Sequence, residues 1–597
     1  MSNASISIVV LPFVNLSGDH SREYLADGIT EEIINALSRV EQLRVISRTS
    51  SFFYKGKDTS MADLANTLNV TTVLEGSVRF EGNAMRISTQ LIQVEDESAF
   101  WSASWDRDLE NIFAIQDEIS LMIADKLREH LGHLDVAEHL TQQPTNDLAA
   151  WDHYLNGAFH FRKWNPEDAN LAIGQFEKAL ALDPNLIEAH LGLADSYSFL
   201  AVAGFAPREE SWLKAIECIQ SAQAINPNHA GLNYMMANQA FFTEASFSKA
   251  FQLATKAMQI RPTYPEAQQF ISFLHELRGD FAKAKEHLLY AKSIDPLNQE
   301  TRFYEAYYAY RTENYSTAKT ILNELLDANP RNLPALITYM YIHVLERDAA
   351  GTQQLLDNIP EAMITPDERL GIQCLIDELN HNLAPSKLQE LESFGQHAPA
   401  HHAHAYLFLL YARMGRNDEA FNALNRLFEV HSSVLLLSFS DPLAKPLQTD
   451  PRYAEFHHRI YQLEQHEEPA QKANSHTPDE VWTHEVLHQL EAHMPSEKPF
   501  LNPSLSLRFL ADQLSVHPNQ LSWLLNEKVG KNFNEFVNDY RIEHFKKLVA
   551  DDSNRHISLV GLAFESGFNS KTVFNTTFKK KTGLTPKAYQ KSVSAPN

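Results

Sequence analysis

The chain holds only two cysteines in 597 residues, Cys218 and Cys374, too few and too far apart for a disulfide framework or a metal cluster. Both read as buried, reduced side chains, and no metal ligand set is expected. No window approaches the run of about 18 apolar residues that a membrane-spanning helix needs. The early "VVLPF" lacks the basic leader and small-residue cleavage site of a secretion signal. A cytoplasmic protein with no membrane partner is therefore expected. Glycines are missing where a phosphate site would need them. "NLSGD" places one glycine between Ser17 and Asp19, without the repeated glycines and closing Lys-Ser or Lys-Thr of a phosphate-binding loop. Asp19, Glu23, Asp27, Glu31 and Glu32 cluster nearby, and ordinary solvated helix and turn carboxylates account for them. No catalytic constellation and no cofactor site is read, so the chain is not expected to be an enzyme.

Charge is plentiful but unevenly placed. The net charge of -25 speaks against a polyanionic partner for the chain as a whole. From residue 499 onward, however, 13 Lys and Arg face 8 Asp and Glu, leaving 38 against 68 in the first 498 residues. A basic tail on an acidic body is the pattern of a nucleic-acid reader carried by something else.

The length implies several cores, and the patterning divides the chain into a multidomain protein. Residues 1–140 read as a small α/β domain. "SISIVVLPF" is a buried strand, "YLADGITEEIINALSRV" an amphipathic helix, "LRVISR" a strand and "MADLANTLNV" a helix. "TTVLEGSVRF" and "AMRISTQLIQVE" then form a hairpin around "EGN", and the helix "AIQDEISLMIADKLREHL" leads out. Over about 120 residues, "VVLPFVNLSGDHSREYLADGITEEIINALSRV", "VISRTSSFFYKGK", "VLEGSVR" and "WDRDLENIFAIQDEI" resemble the amino-terminal half of the TolB periplasmic protein and its relatives. That resemblance implies an accessory module and leaves its ligand unnamed.

Residues 141–465 carry a repeat. Prolines at 184, 227, 262, 296 and 330 recur at intervals of 43, 35, 34 and 34. Each follows a small or apolar triad: Ala172/Phe176/Ala179, Ala215/Ile219/Ala222, Ala250/Ala254/Ala257, Ala284/Leu288/Ala291 and Ala318/Leu322/Leu325. Small residues spaced by one and two turns let paired helices approach closely, and the proline forces the turn that follows. "FEKALALDPNLIEAHLGLADSY" and "FAKAKEHLLYAKSIDPLNQE" resemble tetratricopeptide repeats, which implies an all-α solenoid with a concave face for a protein or peptide partner. An insertion around "AVAGFAPREE" accounts for the interval of 43; the period degenerates over 335–400 and returns at 404–429. The aromatics of "RFYEAYYAYRTENY" are candidates for the groove or the core. His401, His402 and His404 read as surface residues near a repeat boundary rather than ligands.

Residues 466–498 read as a linker and lead-in helix, and residues 499–597 as an all-α domain. "SLRFLADQL", "SVHP" and "NQLSWLLNEKV" make one helix-turn-helix. About 52 residues later "ISLVGLAFESG", "FNS" and "KTVFNTTFKKKTG" make another, joined to the first by "FNEFVNDYRIEHFKKLV". "LADQLSVHPNQLS", "GKNFNEFVNDYRI", "LAFESGFNSKTVFNTTFKKKTGLTP" and "KAYQ" resemble the DNA-binding domain of the AraC/XylS family. The resemblance implies a sequence-specific transcriptional regulator, such as an activator, whose partner is double-stranded DNA.

The scaffold positions are Ala511, Leu521, Ala563, Gly567, Phe568, Phe578 and Pro586. Base-contact candidates are Asn519, Gln520, Ser522 and Trp523 on the first reading helix and Lys571, Thr572, Asn575 and Thr576 on the second, side chains able to meet base edges or a thymine methyl. Phosphate candidates are Lys528, Lys531, Arg541, Lys546, Lys547, Lys579, Lys580 and Lys581. Trp523 and Thr576 stand where the family often has arginine, which leaves open a scaffold with nonspecific DNA binding. An effector or protein partner is expected to act through residues 1–470 and to unmask the reader. A small-molecule effector and a homodimer through solenoid edges both stay open.

Overall fold

The computed structural model describes residues 6–18, 22–40, 42–108, 112–137, 139–140, 144–161, 166–202, 205–395, 401–429, 432–463 and 479–593. Asp19 and residues 466–478 of the linker and lead-in stretch lie outside them.

The N-terminal unit is a mixed sheet with helices on it. Strands β1 (Ile6–Val10), β2 (Val14–Asn15), β3 (Leu43–Val45), β4 (Thr72–Glu81), β5 (Ala84–Gln93) and β6 (Ser98–Asp108) run in the order β3-β1-β4-β5-β6, with β2 also on β4. The β1–β3, β1–β4 and β2–β4 pairs are parallel, and β4–β5–β6 is an antiparallel meander. Gly82, at φ 59, makes the expected hairpin turn. Between β1 and β2 the chain jogs so that Phe13 crosses β4 at Gly76, where a Cβ would fall 2.5 Å from the ring.

Helices α1 (Glu23–Leu37), α2 (Arg48–Phe52) and α3 (Met61–Leu68) connect the strands, and α4 (Ile112–Leu131) packs on α1. The strand β6 was not expected from the sequence. Much of it is solvated, so its composition is polar apart from Phe100, Trp101 and Trp105.

Helical hairpins follow. The pairs include Leu148–Phe161 with Pro166–Leu182, Ala230–Phe242 with Phe247–Ile260, and Gln299–Arg311 with Tyr315–Ala328. Each periodic proline sits two residues beyond the second helix of a pair, and the alanines of the triads are fully buried. Over 333–394 the hairpins persist, but the second helices shrink to 9 and 10 residues and a short 3₁₀ turn at Glu361–Met363 intervenes. That change of length explains why the period fades there. His404, expected at the surface, is buried at 6% exposure, whereas His402 lies against the Thr365 hydroxyl at 3.3 Å. Cys374 is buried and Cys218 half-buried, and burial pushes both thiols up to about 11.

The array closes on itself. Its last segment, Ser433–Tyr461, returns to the middle repeats: the Tyr310 hydroxyl donates to Asp441 (2.8 Å), Arg311 donates to Ser440 Oγ (2.9 Å), and Tyr461 packs on Phe247. The N-terminal unit bridges the other side. Its α1 and α4 share a core with the first repeats, while Ser50 Oγ donates to Asp295 (2.7 Å) and Ser47 N–H to the Ile294 carbonyl (2.9 Å) in the fourth.

This closure buries acids. Desolvation pushes the carboxyls of Glu276 and Glu300 up to about 8 and those of Glu188 and Asp195 up to about 7. A carboxyl whose folded value is raised holds its proton more tightly in the folded chain, so folding loses stability as pH climbs toward that value. His229 and His275, lowered to about 4 by burial, oppose this only below their ordinary value of about 6.5. The thermal midpoint of the full chain should therefore rise as pH falls from about 8 to about 6.5. A midpoint that is flat or falls in that window would mean that these carboxyls are ionised in the folded protein.

Candidate nucleic-acid interface

The basic tail builds two similar helix pairs. In the first, Leu507–Gln513 is followed by a turn with Ser515 at φ 56, and then by Pro518–Trp523. Pro518 opens that second helix, and His517 and Gln520 cap it reciprocally. The helix runs on as one π-helical turn, Leu524–Val529, which Gly530 ends at φ 71. The connector Phe533–Ala550 leads to the second pair, Leu559–Glu565 and Lys571–Thr582, the latter capped by Ser570 and stopped by Gly583.

Leu510, Ala511, Leu514, Leu521 and Leu524 form the first core together with Val486, Leu490 and Met494 of the lead-in helix Glu480–Glu497. Leu562, Ala563, Phe568, Phe574 and Phe578 form the second core, with Ile542 and Phe545 of the connector, and Pro586 is buried at the start of the closing helix. Among the described residues, the two cores draw only on 482–589. The segment thus contains its own hydrophobic interior.

A close backbone crossing helps tie the pairs together. Gly567 sits at φ +93 against the backbone of Phe500, where a Cβ would meet the Phe500 carbonyl oxygen at 2.1 Å. Arg541 donates to that same carbonyl (2.8 Å) and to the Asn502 carbonyl (2.9 Å), and burial lowers its guanidinium to about 10. Arg541 was expected on a phosphate. It is instead held by these two backbone carbonyls.

The second helices of the two pairs, expected to read DNA, meet different surroundings. On the second, Lys571, Thr572, Asn575 and Thr576 are all exposed, as is Lys579. On the first, Ser522 is buried at 2% exposure, which corrects the expectation that it faces outward, and Gln520 is occupied by the cap at His517 N–H. Lys528 lies 5.4 Å over the Trp523 ring. Among the other basic candidates, Lys531 and Lys581 flank Asp539 at 2.8 and 2.6 Å, Lys546 pairs with Glu543, Lys580 stands 3.8 Å from Glu535, and Lys547 is exposed.

Asn519 is held by the N-terminal unit. Arg128 of α4 donates to its Oδ1 at 2.6 Å, the Val136 N–H donates to the same oxygen at 3.3 Å, and its own Nδ2 donates to the Val136 carbonyl at 3.3 Å. Arg128 is 1% exposed and also pairs with Asp125. Around this contact Glu129 accepts the Leu507 N–H (2.8 Å), Asp125 meets Arg508 (3.3 Å), and Asn532 donates to the His130 carbonyl (2.9 Å). Nothing in the sequence pattern points to this seam, because its partners lie almost 400 residues apart and belong to different patterns.

Two family models match regions of the chain. One is described as a helix-turn-helix domain and covers residues 510–592; the other, the second domain of HilA/YgeH-like transcriptional regulators, covers residues 3–122. Among curated proteins, the chain is 39% identical over 191 residues to "Putative adenylate cyclase 3" of Rhizobium meliloti, covering 32% of each chain. It is 36% identical over 92 residues to the transcriptional regulatory protein YesN of Bacillus subtilis, covering 15% of this chain and 24% of that one. The matches thus span a third or less of those relatives. A solved tetratricopeptide repeat protein of Parabacteroides merdae overlaps at 14% identity with a TM-score of 0.28, covering 42% of this chain and 94% of that one.

The chain is therefore similar to transcriptional regulators at both ends and carries a helix-turn-helix domain and a helical repeat region. The two family models carry the descriptions of a helix-turn-helix domain and of a transcriptional-regulator domain, while one curated relative carries the name of a putative cyclase. Among the described residues, no group of three or more His, Cys, Asp or Glu could hold a metal ion, and no helix is long and apolar enough to cross a membrane.

The crossing at Gly567 can be tested on residues 479–597. Gly567→Ala adds both a strained φ and a clash with backbone, and should lower unfolding stability by about 2 kcal/mol or more. Urea denaturation read by circular dichroism measures it. An unchanged midpoint would mean that the two pairs are not locked there.

Proposed function

We propose that this chain is a cytoplasmic, sequence-specific transcriptional regulator with an AraC/XylS-type reader of two helix-turn-helix units. In this reading residues 1–140 form a TolB-like module and the repeats form a tetratricopeptide solenoid that takes up an effector or partner. The second reading helix presents Lys571, Thr572, Asn575 and Thr576 to base edges. Lys528, Lys547, Lys579 and Lys580 contribute phosphate attraction.

The observation that carries the reading is the unequal treatment of the two reading helices. The second is open, while the amide of Asn519 on the first is hydrogen-bonded to Arg128 and Val136. An amide that can pair with adenine is here paired with protein, so base reading by the first helix requires the seam to part. The acidic body adds to the masking, since it repels DNA unless it turns away.

Residues 479–597, offered random duplexes near physiological salt, should enrich a motif about two helical turns long. The Lys571→Ala/Asn575→Ala double variant should lose the preference at the half of the motif that the second helix reads, at a cost of about 1–3 kcal/mol per lost base contact. Salt-sensitive binding with no enriched motif would put the nonspecific scaffold first, a reading that Trp523 and Thr576 favour.

A further inference from the structure

Where α4 meets the tail, the body supplies mostly hydrogen-bond acceptors and the tail mostly donors. Asp125 and Glu129 lie one helical turn apart on α4 and so share one side of it. Asp125 bridges two guanidiniums: Arg128 of its own helix meets Oδ1, and both Nε and Nη2 of Arg508 lie 3.3 Å from Oδ2. Glu129, 3% exposed, accepts from Lys126 on Oε2 (2.6 Å) and from the Leu507 N–H on Oε1 (2.8 Å). Just beyond, the carbonyls of His130 and Val136 accept from the amides of Asn532 and Asn519.

Three elements of the tail contribute these donors: the helix Leu507–Gln513, the helix Pro518–Trp523 that follows it, and Asn532 at the head of the connector. All belong to the first helix pair and its exit, whereas on the second pair Lys571, Thr572, Asn575, Thr576 and Lys579 are exposed. A guanidinium, an amide side chain and a main-chain N–H are groups with which proteins hold DNA phosphates. Arg508 approaches a carboxylate oxygen with two of its nitrogens, the approach it would make to a phosphate oxygen.

A nearly buried carboxylate is tolerable only with donors on its oxygens. Glu129 takes one donor from the body and one from the tail, so this side of α4 is completed by the tail. Burial lowers the hold of Arg128 on its proton and the neighbouring Arg508 lowers it further, while the Asp125 carboxylate that contacts both opposes this. Neutralising either carboxylate therefore weakens the seam from the side of the body and leaves the donors of the tail intact.

We propose that α4 stands in for a stretch of DNA backbone: Asp125 and Glu129 occupy the positions that duplex phosphates take on the first helix pair, with Arg508 as the principal contact. The inference rests on the regulatory function proposed above and adds to it a phosphate-binding residue and a competitor for that residue. DNA and α4 are then mutually exclusive occupants of one donor surface. Release of the first pair is an exchange of carboxylates for phosphates as well as an uncovering of Asn519.

The test uses the full chain and a duplex of random sequence, so it does not depend on which bases the tail reads. Fluorescence anisotropy across a salt series would follow the wild type, Asp125→Asn/Glu129→Gln, the milder Glu129→Gln alone, and Glu118→Gln, at a carboxylate of the same helix that pairs with Arg107. The double variant is expected to bind about tenfold or more tightly than the wild type and Glu129→Gln about threefold, with Glu118→Gln unchanged. Adding Arg508→Ala to the double variant should weaken binding and reduce the slope of log affinity against log salt by about one, and Arg508→Lys in its place should restore the slope. Circular dichroism checks that each variant folds. No tightening in the double variant, or equal tightening by Glu118→Gln, would overturn the proposal; the second result would reduce the effect to diffuse repulsion by the acidic body. An Arg508→Ala change without effect on affinity or slope would also overturn it, while leaving the regulatory reading in place. Failure of every variant to bind the duplex would remove both together.

Discussion

Arg128 carries its charge at a place almost sealed from solvent, and it is tolerable there because Asp125 lies on one side and the Asn519 amide on the other. Desolvation lowers the guanidinium's hold on its proton, so each acceptor that remains matters more. This pairing joins the helix Pro518–Trp523 to α4, which packs on α1, which in turn packs on the first repeat helix Leu148–Phe161. A guanidinium that loses its amide partner must find another acceptor or draw in water. The seam is otherwise polar, built from Glu129, Arg508, Asn532 and the Val136 backbone. Polar seams of this kind part more readily than apolar cores.

The same economy appears in the body. Alanines at the helix crossings let the hairpins stack closely, and close stacking gives the superhelix the curvature that brings Ser433–Tyr461 back onto the middle repeats. The bridge from Ser47 and Ser50 to Ile294 and Asp295 then closes the remaining side. This closure buries the carboxyls whose protons are held more tightly.

Local patterns were legible in the sequence. The periodic prolines and alanine triads located the hairpins, Gly82 marked its turn, and the two tail repeats showed where helix pairs would pack. What stayed hidden depends on partners distant in sequence. Arg541 looks like any basic residue on a connector helix until its bonds to the Phe500 and Asn502 carbonyls are seen. Asn519 looks like a free amide until Arg128 reaches it, and Tyr310 looks like a groove aromatic until Asp441 accepts its hydroxyl from 131 residues away. β6 was missed for a different reason, since a strand with much of its length in water carries little apolar alternation.

The measurement that bears most directly on the masked reader is the affinity of the full chain for a duplex carrying the selected motif, wild type against Arg128→Ala, at one fixed salt concentration. If the seam withholds the first reading helix, Arg128→Ala should bind about tenfold or more tightly and approach the affinity of residues 479–597 alone. Equal affinities for wild type, variant and isolated tail would contradict masking and leave the Arg128–Asn519 contact as a structural joint only.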